Sequence, residues 1–264
     1  INRLSKPLIL HGMACVELGD FEAALHDLRA LSFMSQACRR ESYFITELVA
    51  ITLDAQALKL VWHMLAQPTL PASALQPLRE LLTKRIDPQS FYRAAKGEFA
   101  IGLQTLDYWR QQPEAWISEI AGKTGSTSPS AVRLQSNPWV LDLNRCFYAE
   151  VYLDHLLLPL SRLGLRGALA EAPAMQARLE IRDPKWLNFD KLFAMIMIPT
   201  TEVMLRMNLY FETQLQQALT ACEVELFQRQ HGRYPIALTE LPNPLHLDPL
   251  TQRPFSYRLT LDAP

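Results

Sequence analysis

Apolar residues recur every three or four positions along most of this chain, which is the period of an amphipathic α-helix. The first such stretch ends at Gly19-Asp20, and a second one follows directly. Glycine suits the left-handed position after a helix and aspartate is a good N-cap, so this dipeptide predicts a helical hairpin. The small residues Gly12 and Ala24 are expected to let its two helices cross closely.

The hydrophobic pattern predicts several more helices. Residues 43–65 are apolar on nearly every side, which is typical of a helix that is buried on most of its surface. Gly232 and Pro235 mark the end of a long helix near the C-terminus. In chain order, the other helices are predicted at 73–82, from 87 towards 109, at 141–163 and, for the long one, at about 202–230.

A polar segment interrupts this pattern at 122–138, where glycine, serine, threonine and proline are frequent. Such a composition predicts a surface loop. The chain is therefore expected to be a single helical domain over 1–264, with a subdivision into 1–121 and 139–264 around this loop as the alternative.

The period of a β-strand is found near the C-terminus, where Phe255, Tyr257 and Leu259 alternate with Ser256 and Arg258. The predicted fold class is therefore mainly α, made of packed helical hairpins, with a small C-terminal β-hairpin. We expect this hairpin to dock on the long helix.

The composition removes several classes of function. The chain has 264 residues and a net charge of −1, so it has no overall basic field that would gather nucleic acid or anionic lipid. Its nine glycines are scattered and form no complete phosphate-binding loop. Its four cysteines lack the CxxC spacing of a zinc ribbon or a thioredoxin-type site. We therefore expect neither a metal nor a cofactor.

The sequence contains no apolar run of the roughly 18 residues that a membrane span needs, and no signal peptide is visible. The chain begins at Ile1 rather than at a methionine. Contact with a membrane is therefore expected only through an anchor upstream of Ile1.

Four carboxylates on apolar helices are the weak catalytic candidates: Glu47, Asp54, Glu98 and Glu150. Glu47 and Asp54 share one face of the most apolar helix, where Glu47 is expected to be buried. Buried carboxylates need partners and often have raised pKa values, so these residues are candidates for an acid/base or metal pair. The alternative is ion pairing with arginine, which outnumbers lysine in this chain. The arginines considered are Arg39, Arg40, Arg145 and Arg206.

Three tryptophans flank the polar loop and are the candidate binding residues: Trp109, Trp116 and Trp139. Exposed aromatic side chains are enriched in the cores of protein interfaces, so they could line a groove for a partner. The alternative is that they anchor the ends of the loop on the core.

The C-terminal segment resembles the tail of type II secretion pseudopilins, in which a long helix ends in G-x-Y-P and a D-P-W-G-N-P-Y-x-Y segment follows. Gln252 replaces the glycine of that second segment. The tail is also similar to that of functionally unassigned helical proteins of planctomycete and verrucomicrobial bacteria, which have a GD-x-x-x-A turn upstream. The matching residues of the tail are Gly232, Tyr234, Pro235, Asp248, Pro249, Pro254 and Tyr257.

The N-terminal hairpin resembles a single tetratricopeptide unit at Gly12, Gly19, Asp20 and Ala24. That resemblance implies a role in protein interaction. The resemblance of the tail implies a periplasmic or membrane-anchored extracytoplasmic location, and a cytoplasmic location stays open.

We expect a protein-interaction or scaffold domain of the cell envelope that binds an unidentified protein partner and no nucleic acid. The alternatives are an enzyme with a helix-lined carboxylate pocket and a carrier of an apolar ligand. Converging carboxylates would favour the enzyme, and a deep apolar cavity would favour the carrier. An exposed aromatic groove over a filled core would favour the scaffold.

Overall fold

The computed structural model describes residues 2–85, 87, 89–112, 114–115, 137–180, 191–198, 200–242 and 247–259. The chain is mainly helical, as predicted. In chain order the helices are α1 (Asn2–Glu17), α2 (Phe21–Arg40), α3 (Phe44–Leu65), α4 (Ala72–Thr83), α5 (Ser90–Gln111), α6 (Pro138–Tyr152), α7 (Leu158–Leu179), α8 (Leu192–Met197) and α9 (Thr200–His231).

The chain divides into two compact units. The first unit contains Ile1–Glu41, Ile45–Ser90 and Met207–Pro264, and the second contains Ser42–Phe44 and Phe91–Arg206. Most of the predicted loop at 122–138 lies outside the described residues. The single-domain expectation and its alternative around this loop stay predictions.

The predicted N-terminal hairpin is confirmed. Gly19 has a φ of +76°, and the carboxylate of Asp20 accepts a hydrogen bond of 3.0 Å from the backbone N–H of Ala23 at the start of α2. Gly12 lies close to α2, as expected, and even closer to α3. A Cβ added there would lie 2.5 Å from the Leu60 side chain of α3, so the missing side chain lets α1 approach α3.

The core of the first unit is built by the apolar faces of α1 to α4 and by residues 211–222 of α9. Each fully buried leucine stabilises the fold by roughly 1.5–3 kcal/mol relative to an exposed one. The buried leucines include Leu25, Leu28, Leu31, Leu60, Leu75, Leu78 and Leu215.

In the second unit, α6 begins after Asn137, whose side chain accepts a hydrogen bond from the backbone N–H of Trp139. The helix predicted at 141–163 is longer and less regular than expected. A π-helical turn at Leu153–Leu157 follows α6, and α7 is kinked at Gly164, which has a φ of +69°. Aromatic rings from α5, α6 and α8 form the centre of this unit: Phe99, Trp109, Tyr148, Tyr152 and Phe193.

The long helix α9 ends as predicted, with Gly232 at a φ of +70°. The predicted C-terminal β-hairpin, however, is not found among the described residues. One isolated antiparallel bridge joins Leu247 to Pro254. Proline has no N–H to donate, so it cannot extend a ladder of hydrogen bonds from this bridge. The tail does lie against α9, because the hydroxyl of Thr213 donates a hydrogen bond of 3.1 Å to Asp248.

Candidate functional site

The first unit contains an open groove of about 650 Å³. One wall is the end of α3, a second is α9, and the third is formed by the chain that follows α9. We call this feature the α3–α9 groove, and define it by the residues that line it: Trp62, Leu65, Ala66, Gln217, Thr220, Ala221, Val224, Glu225, Leu238, Phe255, Ser256 and Tyr257.

The groove exposes aromatic surface. The side chain of Trp62 is 42% exposed although it belongs to the most apolar helix of the chain. Phe255 and Tyr257 are half-buried, whereas Ser256 and Arg258 between and after them are exposed. The alternation recognised in the sequence therefore turns the two aromatic residues of the tail towards the protein.

A small number of contacts hold the tail wall in position. Pro235 and Leu241 are buried, and the backbone N–H of Ile236 donates a hydrogen bond of 2.8 Å to Glu240. Further along, Asp248 accepts hydrogen bonds from the backbone N–H of Leu250 and the hydroxyl of Thr251, at 3.0 and 2.7 Å. These local bonds replace the ladder of the predicted hairpin and fix the direction of the segment that carries Phe255 and Tyr257.

Glu225 is the one charged residue among the described residues that line the groove. Its Oε1 accepts a hydrogen bond of 3.1 Å from the hydroxyl of Tyr234. Burial and then the Glu225 carboxylate raise the pKa of both Tyr234 and Tyr257, as expected for phenols close to a negative charge. The groove thus combines apolar walls with one carboxylate at one side.

The tail also lines a smaller cavity of about 250 Å³. This cavity and the groove share Leu238, Phe255 and Tyr257, so these residues form a common wall.

The predicted pair of carboxylates lies in the interior of the first unit. Glu47 and Asp54 are 2% and 0% exposed, which confirms that Glu47 is buried. Both accept hydrogen bonds from the guanidinium of Arg39, at 3.3 Å from Nε to Glu47 and at 2.6 Å from Nη1 to Asp54. Glu47 and Asp54 therefore form ion pairs with Arg39, as the alternative to an acid/base or metal pair expected.

Arg85 completes this buried cluster. Its Nη1 donates to Asp54 at 3.0 Å and its Nη2 donates to the carbonyl of Leu28 at 3.3 Å. The hydroxyls of Ser35 and Ser90 donate to Asp54 and Glu47, at 2.8 and 2.5 Å. Two guanidinium groups thus balance two carboxylates, and the cluster has no net charge with which to attract a metal or a charged substrate.

The other two carboxylates belong to the second unit. Glu98 accepts a hydrogen bond of 3.4 Å from the backbone N–H of Phe44, at the start of α3, and Glu150 forms an exposed ion pair with Arg178. Of the other candidate arginines, Arg145 contacts Asp107 and Arg206 contacts Glu202. In the described part of the chain no group of three or more histidine, cysteine and carboxylate side chains could hold a metal ion.

The three candidate tryptophans have different environments. Trp109 packs edge-on against Phe193, with ring centroids 5.5 Å apart, as an anchor on the core would. Trp139 is 56% exposed, and Trp116 lies outside the described residues. The groove residue Trp62 was missed, because residues 43–65 were interpreted as buried on most sides. Its signal was Lys59, three residues earlier on the same side of the helix, because a lysine marks the side that is exposed.

One arrangement of Cys, His and Asp was not foreseen. Nε2 of His11 is 3.7 Å from the Cys15 sulfur, and Nδ1 of the same ring is 2.6 Å from Asp27. Such a set resembles an activated thiol. Cys15 is only 8% exposed, however, and burial raises its pKa, which disfavours the thiolate form needed for nucleophilic attack.

Comparison with protein-family models, with curated proteins and with solved structures finds no match to this chain. Among the described helices, none has the combination of length and apolar character that crossing a membrane requires.

Proposed function

We propose that this chain is a protein-interaction domain that binds an apolar segment of a partner protein in the α3–α9 groove. The observation that supports this proposal is the open groove with three partly exposed aromatic side chains, Trp62, Phe255 and Tyr257. Exposed aromatic residues of this kind provide most of the binding energy at many protein interfaces.

The shape of the surface favours a polypeptide over a small apolar ligand. A carrier protein encloses most of its ligand, whereas this groove is open. An open groove lets the two ends of an occupant leave the site, as the binding of a segment within a longer polypeptide requires.

The enzyme alternative is supported less well by the four carboxylates. Glu47 and Asp54 are neutralised by arginine, and Glu98 and Glu150 have structural partners of their own. Location in the cell envelope also belongs to this proposal. It rests on the resemblance of the tail to pseudopilins and to the planctomycete and verrucomicrobial proteins.

Selection from a random-peptide display library against the whole chain tests the proposal. The best synthetic peptide is then titrated against the wild type, Trp62→Ala and the matched control Trp139→Ala, which removes an exposed tryptophan of the second unit. We expect Trp62→Ala to weaken binding by about tenfold or more, as at an interface hot spot, and Trp139→Ala to leave it unchanged. Equal effects of the two variants, or no enriched peptide, would contradict the proposal.

A further inference from the structure

Glu225 differs from the other charged residues around the tail because it lacks a basic partner among the described residues. Its recorded hydrogen bond comes from a neutral phenol, the hydroxyl of Tyr234, at 3.1 Å. Nearby, Glu240 is neutralised by Arg233, whose Nη2 lies 2.8 Å away. Glu225 therefore forms no ion pair with the described residues, in contrast to Glu240.

Arg229, one helical turn beyond Glu225, is held by other groups. Its Nη2 donates hydrogen bonds to the carbonyls of Pro68 and Leu70, at 3.2 and 3.1 Å. Arg229 is close enough to oppose the upward shift in the pKa of Tyr234, but Glu225 has the larger effect on that phenol. At the Tyr234 phenol the negative charge of Glu225 therefore outweighs the positive charge of Arg229.

The surroundings of Glu225 are suited to a cation attached to an apolar body. Trp62, Phe255 and Tyr257 line the same groove, and the faces of aromatic rings attract lysine and arginine side chains. A carboxylate beside such faces supplies charge-assisted hydrogen bonds as well. The aliphatic side chains Leu65, Val224 and Leu238 provide the remaining walls.

We propose that the α3–α9 groove selects partner segments in which a lysine or arginine is flanked by apolar residues, with the basic side chain bound at Glu225. This inference rests on the proposed function, because it names the chemistry of the segment that the groove binds. The carboxylate of Glu225, which has no ion-pair partner among the described residues, gives specificity for the basic side chain, and the aromatic walls give affinity.

A double-mutant cycle tests this inference with a peptide selected from the random library. The peptide is made twice, once with its arginine and once with citrulline, a neutral residue of nearly the same shape. Both are titrated against the wild type and Glu225→Gln, with Glu22→Gln, an exposed carboxylate on α2, as the matched control. Tyr234→Phe removes the hydrogen bond to Glu225 but keeps its charge.

We expect Glu225→Gln to lower the affinity for the arginine peptide by about fivefold or more, as for the loss of a charge-assisted contact. Its affinity for the citrulline peptide should hardly change. Glu22→Gln and Tyr234→Phe should keep the preference for arginine. Equal weakening of the two peptides by Glu225→Gln would overturn the inference, because it would show that Glu225 acts only by holding Tyr234. Selected peptides without basic residues would overturn it as well, while sensitivity to Trp62→Ala would still support the proposed function.

Discussion

Asp54 holds the two buried guanidinium groups of the first unit together, and the substitution Asp54→Asn tests this role. The side chain is fully buried and accepts hydrogen bonds from Ser35 at 2.8 Å, from Arg39 at 2.6 Å and from Arg85 at 3.0 Å. Asparagine keeps the size of the side chain but removes its charge. It also replaces one carboxylate oxygen, which accepts a hydrogen bond, by an NH₂ group, which can only donate one.

The expected loss follows from the charge balance of the cluster. In the wild type Arg39 contacts Glu47 and Asp54, and Arg85 contacts Asp54. In the variant Arg39 keeps Glu47, whereas Arg85 loses its carboxylate partner. Removing one partner of a buried ion pair typically costs about 3–5 kcal/mol of unfolding free energy. For a chain of this size the melting temperature should fall by roughly 2–4 °C per kcal/mol.

Urea unfolding followed by circular dichroism measures the difference in unfolding free energy. The matched control is Glu202→Gln, which removes an exposed i,i+4 partner of Arg206 and should cost less than about 0.5 kcal/mol. The charge-balanced double variant Asp54→Asn/Arg85→Met should recover part of the loss, since burial already lowers the pKa of Arg85. A loss below about 1 kcal/mol for Asp54→Asn would refute the reasoning.

Two further predictions concern packing and pH. An added Cβ at Gly97 would lie 1.6 Å from the backbone oxygen of Ser42, so Gly97→Ala should cost more than about 2 kcal/mol. At Gly19 only the positive φ opposes a side chain, so Gly19→Ala should cost about 1–2 kcal/mol of unfolding free energy. Thermal unfolding compares the two variants, and an equal or smaller loss of stability for Gly97→Ala would argue against the clash. Burial raises the pKa of Glu212 from its usual 4.5 to about 7, so the folded state binds more protons in this range and stability should fall as pH rises through it. Glu212→Gln should therefore stabilise the protein by about 1–3 kcal/mol at pH 8 and hardly at pH 4. Equal unfolding free energies of the wild type and Glu212→Gln at both pH values would count against a raised pKa of Glu212.

The helical framework was predictable because its signals are local. The dipeptide Gly19-Asp20 combines a left-handed glycine with an N-cap, and both are found in these roles. The end of α9 at Gly232 follows from the same rule. Burial of Glu47 was predictable as well, since its helix has no polar face on which a carboxylate could reach solvent.

The conformation of the tail and the presence of the groove were harder to predict from the sequence. Alternation of Phe255 and Tyr257 with polar residues predicted a β-hairpin, which is not found among the described residues. Pro254 and the side chain of Asp248 replace its ladder with local bonds. The groove needs Trp62, Glu225 and this tail together. These residues are far apart in the chain, and periodicity within one segment cannot bring them into contact.

The degree of charge compensation separates stability from binding in the first unit. Around Asp54 each carboxylate has a guanidinium partner and is shielded from water, so the cluster can stabilise the fold but has no unsatisfied charge with which to attract a ligand. Glu225 has the opposite character, because it borders an open apolar groove and its recorded partner is neutral. A cation from outside the chain stabilises a carboxylate in such a position more than it would stabilise one that already has a guanidinium partner. This is why we attribute stability to the buried cluster and partner selection to Glu225.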